Sequence, residues 1–452
     1  MTYSARKPFI ILLLALAGLM SQTASAQLPC PDMARYYPSG DDPADWDSIE
    51  RQLRPLMTAC LQDAEYFALI GAALMNTGQL PDALEALERA LLLEPGHGAA
   101  QVDYAQALYL QGQLFSALAM NRHLLTRSDL PATLRNALQQ RQRDWQSRTR
   151  QFYMQADVLA GYNSNLNGAP TPGEITLTLS GENVILPLAH DFRPVSGSYG
   201  NIRLGGRYRQ LAPSHQHNVL VELRSRVSEN RDSDLLQLDS RYAFIKPSAE
   251  HSWQASAGQS HLFYGRSALY TATEVGGRYV PTGDTPLVAS CVSHLTGASQ
   301  HQLFHNQSRL NAVETKIGTG LICPWNSNGK IHQLGVDLSA LINVPLHSDR
   351  AGGTRQGWQV NLEWVLDLPG DRGQLAAQAS HTQMFDAQGY HELLNEGAER
   401  EIRRSYIFLQ YRRDVSPRAT LLVNVYRQYQ GSNLELFRTG DSAFEAGFSV
   451  RF

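Results

Sequence analysis

Ser442-Ala-Phe-Glu-Ala-Gly-Phe-Ser-Val-Arg-Phe452 decides how the rest of the chain is read. Phe444, Ala446, Phe448, Val450 and Phe452 fall on one side of a period-two pattern, and Glu445, Gly447, Ser449 and Arg451 on the other. One apolar face, one polar face and a terminal aromatic form the pattern of a membrane β-barrel's closing strand, in which lipid-facing and lumen-facing residues alternate. A half-buried strand of a soluble sandwich alternates too. The choice therefore rests on the other residues.

Arg6 and Lys7 precede an apolar run from Phe9 to Met20 and the small residues Ala24-Ser25-Ala26. That is the layout of a cleaved secretory signal, so a signal peptide is expected over 1–26 and a mature chain from Gln27. The run is shorter than the roughly 20 apolar residues of a spanning helix. Pro29 stands where lipidation of Cys30 requires a small residue, which argues against a lipid anchor. With 43% hydrophobic residues and a mean hydropathy of -0.31, no other stretch is apolar enough to span as a helix. A membrane protein of this composition must be a closed sheet, because backbone polar groups need partners in lipid. The net charge of -3 gives no reason to expect a nucleic-acid partner. Of the four cysteines, Cys30 and Cys60 lie in the helical part and are a candidate bridge in an oxidising compartment. The expected strand register does not place Cys291 beside Cys323, and that pair is left open.

Residues 45–148 read as helices with an internal repeat. Gly78-Gln79-Leu80 recurs as Gly112-Gln113-Leu114, and Ala83-Leu84 as Ala117-Leu118, each 34 residues on. That is the tetratricopeptide period. Phe67, Ile70, Gly71, Leu74, Ala83, Leu87, Ala90 and Pro95 fill the repeat's packing positions in the first copy. The second keeps Ala105, Leu108, Gly112, Ala117 and Leu124, with Asp129 in place of the closing proline. Flanking helices over Asp47–Leu61 and Pro131–Gln146 are expected to cap the stack, since such repeats bury their faces only against neighbours. The helical domain is placed at 27–150, in the periplasm.

From 151 to 452 the period is two. Candidate strands begin near Phe152, Gly200, Gln216, Ser233, Glu250, Leu269, Pro286, Ser308, Ile331, Gln356, Arg372, Ile402, Arg418 and Ser442. About fourteen is an even number, as bacterial single-chain barrels have. Tight turns at Ala212–His215, Lys246–Ala249, Thr282–Thr285, Pro369–Asp371 and Asp414–Pro417 alternate with longer connections. The longer ones are Tyr162–Tyr199, Gly297–Gln307, Pro345–Arg355, Phe385–Glu401 and Gly431–Asp441, while those after the third and fifth strands are short. Short periplasmic turns and long extracellular loops are a barrel's signature. The predicted fold is thus a helical repeat domain followed by a transmembrane antiparallel β-barrel of about 14 strands, in the cell outer membrane.

Arg203, Arg207, Arg209, Glu222, Arg224, Arg226, Asp239 and Arg241 share one face of the second to fourth strands. Val219, Val221, Leu223, Val227, Leu236, Leu238, Tyr242 and Phe244 occupy the other. An Arg or Lys facing mid-bilayer lipid costs about 2–4 kcal/mol, so the charged set is assigned to the lumen. It is either a basic conduit wall or a ladder of Arg–acid pairs holding the wall together, and the ladder is the simpler account. Trp358 and Trp364 on the tenth strand read as interfacial anchors. In the helical domain, Ala68, Ala72, Met75, Asn76, Val102, Gln106 and Tyr109 are expected to line a concave groove suited to an extended peptide or an irregular protein surface. Packing against the barrel mouth is the alternative use of that face.

No phosphate loop, CxxC, HExxH or G-x-S-x-G element is present. His215 with His217 and His301 with His305 read as solvated side chains of turns and loops rather than metal ligands. The expectation is a protein with no catalytic residues, metal or cofactor.

A signal peptide, a short helical repeat domain and such a barrel together resemble the surface lipoprotein assembly modifier (Slam) family. Asn163-Ser-Asn-Leu-Asn-Gly-Ala-Pro170 is similar to that family's Asn-rich segment ending in Ala-Pro, although Gly168 interrupts it. Arg427 followed by Ser432-Asn433 resembles its C-terminal pattern. The resemblance implies an outer-membrane translocator delivering a specific lipoprotein or secreted protein to the cell surface, with a periplasmic chaperone as a candidate partner. It implies no catalytic residues. The final strand with Phe452 resembles the signal read by the barrel-assembly machinery. Two other classes stay open: a helical-repeat exporter of an exopolysaccharide, and a passive porin whose repeats anchor a partner.

Overall fold

Gly78 and Gly112 carry the same left-handed backbone, φ 83° and 85°, at equivalent turns of two successive helix pairs. A glycine is favoured where φ is positive, and this equivalence is the repeat made visible. The computed structural model describes residues 29–38, 44–248, 250–281, 291–327 and 329–452. The expected signal peptide and the Thr282–Thr285 turn lie outside these residues. Two compact units divide between Gln146 and Ser147.

In the first unit, α1 (Trp46–Leu53) precedes two antiparallel pairs, α2 (Ala64–Asn76) with α3 (Leu80–Leu93) and α4 (Gly98–Leu110) with α5 (Leu114–Leu125). The final helix is α6 (Ala132–Ser147). Asp63 caps α2 by accepting from the Tyr66 N–H at 2.8 Å, which satisfies an otherwise orphaned donor. Tyr66, Leu87 and Ala90 are fully buried in one cluster, and Ala117 and Leu124 in the next, with Trp145 buried beside them. The first flanking helix is shorter than expected. It stops at Leu53 and gives way to a 3-10 turn at Arg54–Leu56, because Pro55 cannot donate the next helical hydrogen bond. Cys30 and Cys60 form a disulfide, tying residues before α1 to the loop that precedes α2.

The second unit begins with β1 (Arg150–Asn163). The hairpin β2 (Glu174–Leu179) and β3 (Glu182–Pro187) follows, then β4 (Gly197–Leu211), β5 (Gln216–Ser228), β6 (Leu235–Pro247), β7 (His251–Tyr264) and β8 (Ser267–Pro281). Next come β9 (Val292–Phe304), β10 (Ala312–Ser327), β11 (Lys330–Pro345) and β12 (Arg355–Asp367). The unit ends with β13 (Gln374–Gly389), β14 (Glu399–Asp414), β15 (Ala419–Ser432) and β16 (Thr439–Arg451). All but β2 and β3 form one closed antiparallel barrel of 14 strands, with β1 paired to both β16 and β4.

Several connections differ from expectation. Residues 297–304 belong to β9 and pair with β10 up to Gln302 and with β8 up to Phe304, leaving only 305–311 as loop; β13 runs on to Gly389, and 390–398 remain. Pairing persists there because antiparallel hydrogen bonds do not require an apolar face, whereas the alternation used to find strands does. Cys291, one residue before β9, is bridged to Cys323. Val292 lies opposite Ile322, so the register does bring the two cysteines side by side. His215 and His217 do not stand free in solvent. Their rings meet edge to face at 4.8 Å and pack on Phe244, while His217 hydrogen-bonds the Tyr242 hydroxyl at 2.8 Å.

The exterior carries exposed Val158, Tyr162, Val221, Leu238, Ile317, Leu409, Val425, Phe444 and Phe448. Their strand neighbours of opposite parity, such as Asp157, Glu222, Asn424 and Glu445, are buried on the inside. This is the apolar-out, polar-in arrangement of a barrel in lipid.

Candidate functional site in the barrel lumen and the helical groove

Strand register arranges the lumenal side chains of β1 and β4–β8 in rows. Tyr153, Arg207, Leu220 and Arg241 lie in one, Gln155, Gly205, Glu222 and Asp239 in the next, and Asp157, Arg203, Arg224 and Gln237 in a third. Two arginine-bearing rows thus flank an acidic one. Arg203 bridges Glu222 at 2.5 Å and stands 3.8 Å from Asp157. Arg224 pairs with the other oxygen of Glu222. Arg241 reaches over Gly258 to Glu274 at 3.2 Å. Arg226 instead holds loop carbonyls, donating to Leu166 and Ser233 at 2.9 Å each. Arg207 and Arg209 have no acidic partner among the described residues. The eight residues are therefore a partly paired wall with two free cations, beside a cleft of about 430 Å³ that Tyr153, Arg451 and Phe452 also line. The facing wall is rich in amides: Asn343 donates to Gln302 at 3.0 Å, Lys316 to Gln359 at 2.6 Å, Arg404 to Gln430 at 2.7 Å and Gln410 to Asn424 at 3.0 Å.

The Asn-rich segment closes the seam between first and last strands. Asn163, fully buried, donates to the Tyr426 hydroxyl at 2.6 Å and to Asp441 at 3.2 Å. Asn165 donates to the carbonyls of Ala169 and Gly440 and accepts from the Ala169 N–H. Asn167 bonds Arg193 and Val195 in the returning loop. Leu166 is buried against Tyr199 and Ala443. Each asparagine supplies both a donor and an acceptor, so a short segment satisfies three pieces of backbone at once. Asn433, in the C-terminal pattern, bonds the backbone of Glu399 and Glu401 at the start of β14.

In the helical unit, Ala68 and Ala72 are 3% and 8% exposed. Their small size lets the helices close over them, so they offer almost no surface to a ligand. Met75, Val102 and Gln106 are half-buried, and Asn76 is exposed with its amide turned back to the Ala72 carbonyl at 2.8 Å. Tyr109 stacks on Trp145 of α6, 4.7 Å between ring centres and 12° apart.

Sequence reasoning missed the charged members of this unit. Arg141 lies over the Trp145 ring at 4.8 Å and donates to Asn121 at 2.8 Å and to the Val102 carbonyl. Burial pushes it down to about 10, against the opposing pull of Asp103. Burial likewise pushes the Asp103 carboxyl up to about 6, with Arg141 and His97 opposing. His97 caps α4 through Nδ1 and meets Glu65 through Nε2 at 2.7 Å. Burial raises Glu65, but hydrogen bonds to Tyr37 and His97 hold it below its ordinary value. His97 follows Pro95-Gly96, a signal for a cap; no spacing rule marks Arg141.

Residues 74–140 match the family model of the tetratricopeptide repeat. No curated protein matches the chain. Among solved structures, the anion-selective porin of Comamonas acidovorans aligns at 11% identity over 67% of this chain and 99% of its own, TM-score 0.35. A FadL homologue of Pseudomonas aeruginosa aligns at 8% identity over 67% and 90%, TM-score 0.37. The Yersinia enterocolitica type III secretion translocator chaperone SycD aligns at 14% identity over 23% and 73%, TM-score 0.22.

Proposed function

We propose that this chain is an outer-membrane translocator that moves a specific lipoprotein or secreted protein to the cell surface. Its helical repeats, in the periplasm, engage the cargo or a chaperone carrying it, and the barrel is the conduit. The observation that carries the reading is the joining, in one chain, of a tetratricopeptide match at 74–140 to a closed barrel of 14 strands. Tetratricopeptide grooves offer protein-binding surface, and a passive pore needs none. The resemblance of the Asn-rich segment to the surface lipoprotein assembly modifier family agrees with it, since that segment joins β1 to β15 and β16. The barrel-assembly machinery and outer-membrane lipid are the partners implied for insertion, with Phe452 in the assembly signal.

Removing 45–148 tests the proposal. The barrel should still insert, while protease shaving of intact cells finds the partner lipoprotein no longer displayed at equal total amount. Unchanged display would sink it. The amide-rich wall favours one second reading, export of an exopolysaccharide, because sugars are bound by dense arrays of donors and acceptors. Loss of a surface polymer with normal lipoprotein display would select that reading.

A further inference from the structure

The first helix pair keeps an apolar cleft on the side away from α4. A helical repeat buries its faces by stacking on a neighbour, yet α1 is only eight residues long and ends at Leu53. Beyond it the floor, formed by Phe67, Ile70 and Leu74 of α2, opens into a cleft of about 690 Å³. Its walls expose Met57 (51%), Leu61 (48%) and Leu92 (72%). A contiguous apolar surface of this kind marks an interaction site, and the volume is that of a binding cleft.

The rim shows what would fill it. Asp82, Glu85 and Glu88 run along one edge of α3, and none is in an ion pair among the described residues. The two rim cations are already held by the protein. Arg54 bridges Glu50 at 2.5 Å and donates to Gln79, and Arg89 donates to the Leu61 carbonyl and lies 6.0 Å from the Phe67 ring. Arg89 keeps its charge, so three unpaired acids against one cation leave the rim acidic on balance.

We propose that this cleft docks an amphipathic helix of a partner protein. The helix sets its apolar stripe where a further stacked helix would lie, and its basic flank along Asp82, Glu85 and Glu88. Helix-in-groove recognition reads anchors one turn apart in this way. The site is separate from the concave groove and does not depend on what the barrel carries.

The test uses the full chain in neutral detergent and a 14-residue helical peptide of leucine and lysine with a central benzophenone. Photo-crosslinks should map to Met57–Leu61 and to Leu92 and its neighbours. Leu92→Glu should cut the yield at least fivefold. That variant adds negative charge, so simple attraction of a basic peptide to an acidic surface would raise the yield instead. Glu85→Lys with Glu88→Lys should lose the lysine peptide and gain its glutamate counterpart. Scattered crosslinks, or a yield unchanged or raised by Leu92→Glu, would overturn the proposal. Lipoprotein display plays no part in this readout, so it stands or falls apart from the translocator reading.

Discussion

The Tyr199 hydroxyl donates to the Glu445 carboxylate at 3.1 Å, joining β4 to β16 across the intervening β1. It can do so because Gly161 lies between them. A Cβ at Gly161 would stand 2.9 Å from the Glu445 Cβ and 3.0 Å from the Tyr199 ring. Asn201 and Asn424 donate to the same carboxylate at 3.2 and 2.9 Å. One buried acid thus ties three strands, β4, β15 and β16, across the intervening β1 at the place where the barrel closes.

Breaking that clasp should weaken closure specifically. A hydrogen bond to a charged group contributes about 1.5–3 kcal/mol, so Tyr199→Phe should lower the barrel's unfolding free energy by about that much and shift its heat-modified electrophoretic mobility to a lower temperature. Gly161→Val should prevent closure, leaving no heat-modifiable species. Wild-type mobility in Gly161→Val would show that the seam closes without this contact.

The two faces of the β14–β15 pair should respond oppositely to the same charge. Val425 is exposed on the lipid side, and placing arginine there costs about 2–4 kcal/mol near mid-bilayer. Lumenal Gln410, bonded to Asn424 at 3.0 Å, should accept arginine with little loss. Membrane-inserted protein is the measurement, and equal insertion of the two variants would contradict the face assignment.

Asp103 gives the helical unit a pH dependence of definite sign. Its carboxyl is pushed up to about 6 by burial, above the unfolded value of about 3.9. Between those values the folded state binds more protons than the unfolded state, so stability falls as pH rises from about 4 to 6. Asp103→Asn should remove that fall and raise stability near pH 7.5 by up to about 3 kcal/mol, with little effect at pH 4. The helical dichroism signal at 222 nm reports it, and a stabilisation equal at both pH values would reject the assignment.

The two disulfides should differ in weight. Cys30–Cys60 fixes residues 29–38 to the helical core, where Met33 is buried, and a bridge closing a loop of this size contributes about 2–4 kcal/mol. Cys291–Cys323 joins strands that are already paired. Cys60→Ser should lower the helical melting temperature by several degrees, while Cys323→Ser leaves barrel insertion and mobility nearly unchanged.

Orientation follows from strand parity. If both strand termini of the barrel, Arg150 and Arg451, face the periplasm, the 390–398 connection lies outside the cell and the β6–β7 turn at Ser248 inside. Epitope tags in the two places should be antibody-accessible on intact cells only for the first. Labelling at Ser248 would invert the topology.

Period-two alternation together with the tight turns pointed to about fourteen barrel strands, because lipid on one side and water on the other impose a period of two on each crossing. Beyond the bilayer that pressure ends, so the upper reaches of β9 and β13 looked like loop although they pair with their neighbours. The helix pairs were legible in Gly78 and Gly112 for a related reason: a positive φ is a local demand that glycine meets best. What a charged side chain does was not legible. Arg203 and Arg207 sit on the same face of one strand, yet the first is bound by Glu222 and Asp157 and the second has no acidic partner among the described residues. Their difference lies in which rows adjacent strands bring together. Cys291 and Cys323, Tyr199 and Glu445, and Asp103 and Arg141 depend in the same way on positions distant in sequence. Sequence determined the periods and the turns, since each is set by a residue's own neighbours and solvent. Register and packing decided the pairs, because a contact between distant residues exists only once the sheet has closed or the helices have stacked.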